Sequence, residues 1–167
     1  MKIAIISDSH DNWVNIEKTI KYLNKHKIKT IIHCGDVCAP STLREMAKIF
    51  KGDEIHIAYG NVDGDIEGFK MMAKKDEKIK LYGQTGKLEK DNLKIVFCHF
   101  PLVAKKMAQS GKYNLVFHGH THTPWQEKIK NTVIYNPGTL GGLFSKATFA
   151  IYDTEAKKAE LIILEKI

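Results

Sequence analysis

Five short apolar segments, each followed by Asp, His or Asn, constrain the fold of this chain more than any other feature. Short continuous apolar runs are typical of strands that are buried on both faces. The segments cover residues 3–6, 30–33, 55–59, 93–98 and 115–117. The polar residues that follow them are, in order, Asp8 and His10, Asp36, Asn61, His99, and His120 with His122.

Helices are predicted between these strands. Trp13, Ile16, Ile20 and Leu23 recur at spacings of three and four, which places them on one face of a helix. Ser41 is predicted to cap the next helix, and residues 66–73 and 101–110 to form two more. From residue 125 the pattern changes to strands only, at 126–130, 132–135, 147–152 and 159–164. The order predicts an α/β chain in which two packed sheets are flanked by helices, in a single domain over residues 1–167.

The charge of the chain favours an anionic ligand without indicating a nucleic-acid surface. The formal net charge is +7, but Arg44 is the only arginine and the lysines are scattered. Nucleic-acid recognition usually uses arginine forks and basic runs interleaved with aromatics, so nucleic acid is not an expected partner. Three cysteines without a CxxC pair, and no signal peptide or membrane-length apolar run, predict a cytoplasmic protein.

The seven polar residues at the strand ends predict a metal centre. Parallel strands bring their carboxyl ends to one edge, where ligands bind in open α/β sheets. One such residue alone is more often a helix cap or a packed side chain. The metal-centre hypothesis therefore depends on the agreement of all five strand ends. Four His, two Asp and one Asn exceed the needs of one ion, but they make two four-ligand sites if one carboxylate bridges. Two ions so held would clamp a phosphoryl group and a hydroxide.

The same residues resemble the calcineurin-like metallophosphoesterase superfamily, whose motif series is DxH, GD, GN, H and GHxH. Here the series occurs as Asp8-Ser9-His10, Gly35-Asp36, Gly60-Asn61, His99 and Gly119-His120-Thr121-His122. The short length and the Asn136-Pro137-Gly138-Thr139 segment are most similar to the small YfcE-like phosphodiesterases, in which that segment is usually NPGS. The resemblance implies a four-layer α/β/β/α sandwich and a metal-dependent phosphodiesterase, which is a hydrolase of phosphoric ester bonds.

The resemblance also implies ligand sets. One divalent ion would be held by Asp8, His10, Asp36 and His122, and a second by Asp36, Asn61, His99 and His120. Asp36 would bridge the ions, and Asp36, Asn61 and His99 would act in catalysis through the metals and a bridging hydroxide that attacks phosphorus in line. Mn, Ni, Fe, Zn and Co all tolerate such ligands, with Mn preferred.

Two positions depart from the wider family. Val62 replaces the His that many members carry after GN, so good leaving groups should be favoured, and Asp63 would orient a metal ligand instead of pairing with that His. Phe100-Pro101 follows His99 where several small members have Gly and a second His, which makes the pocket wall more apolar.

Three questions stay open at the level of sequence. The substrate is expected to be a small phosphodiester, but a phosphomonoesterase acting on a small phosphorylated metabolite and a non-catalytic interaction scaffold of the same fold are the alternatives. Assembly with further copies of the chain is also open. His118, His33 and residues 136–139 are candidate contributors to the site, whereas the cysteines are predicted as small buried residues.

Overall fold

The computed structural model describes residues 1–167 as eleven strands, four α-helices and one short 3₁₀-helix. The strands are β1 Lys2–Ile6, β2 Thr30–His33, β3 Glu54–Ile57, β4 Ile79–Leu81, β5 Thr85–Lys90, β6 Leu93–Cys98, β7 Leu115–Phe117, β8 Trp125–Ile129, β9 Thr132–Asn136, β10 Thr148–Asp153 and β11 Lys158–Ile163. The helices are α1 Trp13–Lys25, α2 Pro40–Ile49, α3 Ile66–Lys75 and α4 Pro101–Gln109, and the 3₁₀-helix is Leu164–Lys166. None of the helices is long and apolar enough to cross a membrane.

The strands form two mixed sheets. The first has the order β11-β10-β1-β2-β3-β4, and β1 to β4 in it are parallel. The second has the order β5-β6-β7-β9-β8, and β6, β7 and β9 in it are parallel. The predicted α/β class with two packed sheets is confirmed.

Three apolar clusters separate four layers. Alternate residues of β1 point to opposite faces, so Ile3 and Ile5 join the layer between the sheets while Ala4 and Ile6 face α1 to α3. Phe97 and Phe117 fill the other side of the layer between the sheets. The third cluster packs α4 against the outer face of the second sheet. The resulting order is α/β/β/α, as the resemblance implies.

The helix starts follow the sequence with one exception. Asn12 caps α1 by accepting the backbone N–H of Asn15 at 3.2 Å, as is usual for Asn at this position. The prediction of Ser41 as the cap of α2 is wrong, because that helix begins at Pro40 after Ala39. Proline suits the first helical position, since its missing N–H would have no partner there.

Two strands were not predicted. β5 has the sequence TGKLEK and pairs with β6 through a two-residue turn at Asp91-Asn92, where φ is 50° and 61°. Positive φ at both turn positions is the geometry that joins two antiparallel strands tightly. The short β4 continues the first sheet beyond β3.

Candidate metal centre

The seven predicted ligands lie together at the carboxyl ends of strands from both sheets. Asp8 and His10 follow β1, Asp36 follows β2 and Asn61 follows β3, whereas the other three, His99, His120 and His122, follow β6 and β7 of the second sheet. The loops after β1 and β2 stay joined, because the N–H of Asp8 donates to Gly35 O at 3.0 Å. The N–H of His120 donates to the Asp8 carboxylate at 3.1 and 3.2 Å and connects the two sheets.

The backbone is left-handed at five of the seven ligands. The φ angles are 53°, 45°, 60°, 71° and 56° at Asp8, His10, Asp36, His120 and His122. Such angles are uncommon outside glycine and cost about 1 kcal/mol or more each. Their concentration at the predicted ligands indicates that the fold holds these side chains in place for a functional reason.

The first group of donor atoms surrounds His10 and His122. Their Nε2 atoms are 3.3 Å apart, and His122 Nε2 lies 3.3 Å from Asp8 Oδ1. His10 Nε2 is 3.8 Å from Asp36 Oδ2. The other ring nitrogen of His122, Nδ1, donates to Leu143 O at 3.1 Å, so the Nε2 lone pair faces the other donors.

The second group surrounds His99. Its Nε2 lies 3.0 Å from Asn61 Oδ1, 3.1 Å from His120 Nδ1 and 3.4 Å from Asp36 Oδ2. His120 Nδ1 is also 3.1 Å from Asn61 Oδ1. His99 Nδ1 donates to Cys34 O at 2.9 Å, which leaves Nε2 as a lone pair directed at the group. Asp36 Oδ2 therefore faces both groups.

These donors suit divalent cations. With Nδ1 donating to Cys34 O, the neutral form of His99 offers Nε2 as an acceptor, as Asn61 does with Oδ1, and a cation would stabilise two such acceptors 3.0 Å apart. Asp8 and Asp36 are buried, and no lysine or arginine pairs with either carboxylate. Burial raises the pKa of Asp8, and a bound cation would lower it again. The mixture of imidazole and oxygen donors fits Mn, Fe, Co, Ni or Zn.

The side chain of Asp63 holds the loops that carry the ligands. Its carboxylate accepts three backbone N–H groups, from Asp36 at 2.9 Å, Cys38 at 2.8 Å and Gly60 at 2.7 Å. It makes no contact with the donor nitrogens of the histidines. Asp63 therefore fixes the turns after β2 and β3, and its predicted role in orienting a metal ligand stays a prediction.

Close backbone approach explains two of the motif glycines. A Cβ added to Gly119 would overlap Ser7 Oγ and lie 2.5 Å from Asp8 Oδ2. A Cβ added to Gly60 would overlap the carboxylate of Asp36 and lie 2.6 Å from its backbone nitrogen. Only glycine lets these turns pass so close to the two buried carboxylates.

The other candidate residues support the centre indirectly. His33 is buried between Ser9 Oγ at 3.0 Å and the N–H of Gly35 at 3.2 Å, and it does not join the donor groups. Asn136 donates to Gly119 O at 3.0 Å, and Thr139 Oγ1 donates to Asp8 O at 2.9 Å. The 136–139 segment thus braces the turns that carry Asp8 and His120.

The cysteines are largely as predicted. Cys34 and Cys98 are buried, and burial raises the pKa of both thiols. Cys38 is only partly buried, and its sulfur lies 3.7 Å from His10 Nδ1. No residue pattern indicated this contact, which occurs where the backbone of Cys38 is left-handed, with φ at 82°.

Apolar side chains surround the donor groups. The ring of Phe100 packs edge-on against the rings of His99 and His120, with centroids 5.0 Å apart in both pairs. Phe144 is 97% exposed and its ring lies 5.6 Å from that of His122. Val62 is 41% exposed at the turn after β3. Phe100 was predicted to make the wall apolar, whereas nothing in the sequence marked Phe144.

The fold and the converging nitrogen and oxygen donors define a metal-dependent phosphoesterase, which is a hydrolase. The model of the calcineurin-like phosphoesterase superfamily domain matches residues 1–157, and the chain belongs to that superfamily. The chain is 34% identical to phosphodiesterase MJ0936 of Methanocaldococcus jannaschii over 99% of its length and 100% of the relative. It is 27% identical to the probable metallophosphoesterase MJ0623 of the same organism, over 83% of this chain and 68% of the relative.

Solved structures show the same fold. An archaeal phosphodiesterase superimposes with a TM-score of 0.90 at 32% identity, covering 98% of this chain and 99% of that one. The phosphoesterase YfcE of E. coli has a TM-score of 0.70 at 15% identity, over 98% and 100% of the two chains. Vps29 of Entamoeba histolytica in complex with Zn²⁺ has a TM-score of 0.69 at 16% identity, over 98% and 99%. At these lower identities the last two likenesses concern the fold alone.

Proposed function

We propose that this protein is a phosphodiesterase that uses two divalent ions on a small phosphodiester. The observation that carries the proposal is the pair of donor groups that share Asp36 Oδ2, 3.8 Å from His10 Nε2 and 3.4 Å from His99 Nε2. The relative with 34% identity is named a phosphodiesterase, which supports the diester as substrate. Three unpaired cysteines fit a reducing compartment such as the cytoplasm.

The predicted ligands would form two metal sites. Asp8, His10, Asp36 and His122 hold one ion, and Asp36, Asn61, His99 and His120 hold the other. Bound ions of this kind supply an activated water as nucleophile and neutralise the charge that grows on the phosphoryl oxygens. Cys34 O and Leu143 O accept hydrogen bonds from Nδ1 of His99 and His122 and orient both rings so that Nε2 faces the donor groups.

Val62 bears on the choice of ester. The side chain after Asn61 has no proton to give, so a leaving group must depart as a stable anion or with a proton from solvent. The apolar side chains Val62, Phe100 and Phe144 next to the donor groups offer no cation to a dianionic monoester. Both features favour a diester over a monoester.

The proposal can be tested by hydrolysis of bis-p-nitrophenyl phosphate after the metal has been stripped. Mn²⁺, Ni²⁺, Zn²⁺, Co²⁺, Fe²⁺ or Mg²⁺ is added back, with Mn²⁺ expected to restore the highest rate. Asp36→Asn and His120→Ala should each lower the rate by about 100-fold or more, since even residues that merely support ligands cost 10–100-fold. His26→Ala, an exposed histidine stacked on Tyr22, is the matched control and should keep full activity.

Three results would contradict parts of the proposal. Activity on p-nitrophenyl phosphate alone would replace the diesterase by a monoesterase. Calorimetric titration that finds one bound ion in the wild type would contradict the two-ion centre. A folded protein that is inactive with every metal would point to an interaction scaffold of the same fold.

A further inference from the structure

A cavity of about 410 Å³ lies beside the candidate metal centre, between the start of α4 and the start of β8. Thr121, which stands between the candidate ligands His120 and His122, is part of its lining. Pro101 also lines the cavity and directly follows Phe100, whose ring packs against the rings of His99 and His120. The cavity and the donor groups thus share the same two turns of the backbone.

The lining combines one large aromatic side chain and a few apolar side chains with five polar or charged residues. Trp125 is 47% exposed, and its ring meets the ring of buried His118 edge-on with centroids 6.3 Å apart. Ile134 is buried and Leu102 is exposed in the same lining. A large exposed indole at the mouth of a cavity is a surface on which a flat ring can stack.

The charged residues of the lining have no net formal charge. Lys105 and Glu127 are the two charged residues of the lining, and their formal charges sum to zero. Either can hydrogen-bond with an occupant, the lysine as a donor and the glutamate as an acceptor. The Thr121 hydroxyl is held in place by Asn136 Nδ2 at 3.0 Å. The volume lies within the range of small-molecule sites, roughly 300–1,000 Å³.

We propose that this cavity binds the flat, uncharged heterocyclic ring of an ester group of the substrate, with Trp125 as the stacking residue. The substrate class is then a nucleoside phosphodiester, with the phosphate at the donor groups and the base in the cavity. The inference rests on the proposed function, because the cavity is placed as a subsite of that reaction. Trp125 is a specificity-determining residue and takes no part in the chemical step.

Ring binding can be tested without hydrolysis. The chain has two tryptophans, so a ¹⁵N-labelled sample shows two indole N–H signals, which Trp13→Phe assigns. Metal-free protein is titrated with adenosine, and with ribose as the matched ligand without a ring, up to about 10 mM, which saturates even a millimolar site. Adenosine should shift the Trp125 signal saturably and leave Trp13 unmoved, and ribose should shift neither. An unmoved Trp125 signal, or equal shifts with ribose, would overturn the proposal.

Kinetics tests the same subsite in the metal-loaded enzyme. Thymidine 5′-(p-nitrophenyl phosphate) and methyl p-nitrophenyl phosphate share one leaving group and differ in the retained ester group. Trp125→Ala should raise KM for the thymidine ester about tenfold with kcat little changed. Trp125→Phe keeps an aromatic ring and should have a KM close to that of the wild type. An unchanged KM for the thymidine ester would overturn the proposal. If the wild type hydrolyses neither ester, the proposed function fails, while the titration still decides whether the cavity binds a ring.

Discussion

The carboxylate of Asp63 accepts a hydrogen bond from the backbone N–H of Asp36 at 2.9 Å, although the two residues are 27 positions apart in the sequence. The same carboxylate also accepts the N–H groups of Cys38 and Gly60. Asp36 is the residue whose Oδ2 faces both donor groups. Its position therefore depends on a side chain that has no contact of its own with the donor nitrogens.

Asp63→Asn should weaken metal binding. An amide presents an NH₂ group where one carboxylate oxygen accepts an N–H, so at least one of the three hydrogen bonds is lost. We expect metal affinity and activity to fall about 10–100-fold, as for other groups that orient ligands. Metal titration by calorimetry measures the change. Asp65→Asn is the matched control, because Asp65 caps α3 and Asn caps helices equally well; a loss as large in this variant would contradict the assigned role of Asp63.

Gly119→Ala should destabilise the fold as well as the centre. The new methyl group would overlap Ser7 Oγ and crowd Asp8 Oδ2, and overpacking of this kind costs about 1–3 kcal/mol. For a chain of this size, Tm should fall by about 2–4 °C per kcal/mol. Gly64→Ala is the control, because a Cβ at Gly64 meets nothing within 4 Å. Equal Tm values for the two variants in thermal unfolding would refute the close approach.

Val62→His should extend activity to poor leaving groups. An imidazole next to Asn61 could protonate the departing oxygen, and general acids typically contribute about 10²–10⁴-fold. Val62 is 41% exposed, so the turn has room for the larger ring. Rates for a series of substituted phenyl diesters give the dependence on leaving-group pKa. This dependence should be steep in the wild type and in Val62→Ala and shallower in Val62→His. Equal slopes in all three proteins would contradict protonation of the leaving group by the new histidine.

Protonation of His33 should make stability depend on pH. Burial lowers the pKa of His33 from 6.5 to about 4, because removal from solvent disfavours the charged imidazolium. Between those two values the unfolded chain binds a proton that the folded chain does not, so stability is full above about pH 6.5 and falls as the pH approaches 4. The loss is about 3 kcal/mol.

Urea unfolding in EDTA at pH values from 4.5 to 7.5 measures this effect in wild type and His33→Gln. The variant should lose less stability than the wild type as the pH falls. The loss that remains in the variant reflects other buried histidines such as His56, because burial lowers its pKa as well. His26→Ala should keep the wild-type slope, since His26 is exposed. An unchanged slope in His33→Gln would show that His33 takes up its proton in the folded state as easily as in the unfolded one.

The sequence predicted the parts of the fold that depend on strong local patterns. The strands with continuous apolar runs and the helices with a three-and-four spacing are present close to their predicted bounds. Strand β5 was not predicted because Lys87, Glu89 and Lys90 make it polar and only one of its residues, Gly86, is buried. The Asp91-Asn92 pair was the available signal, because such pairs tolerate the positive φ of a tight hairpin.

Some features of the candidate site could likewise be predicted from the sequence and others could not. The predicted ligands come together because they follow parallel strands, and strand direction could be predicted from the alternation with helices. Phe144, the thiol of Cys38 and the cavity beside Trp125 could not be predicted, since each depends on contacts between segments far apart in the chain. Such contacts are set by loop conformation, which carries little periodic signal in the sequence.

The candidate ligands run from residue 8 to residue 122 and come from two sheets that meet only in the finished sandwich. A centre divided in this way has no local precursor, because no single hairpin or βαβ unit carries a complete donor group. Each donor group is then complete only after the sheets have docked, and an ion bound there would tie the two sheets together. Metal occupancy would thus report on the docking of two layers of the protein, and a proteolytic fragment with only one sheet would lack a complete donor group.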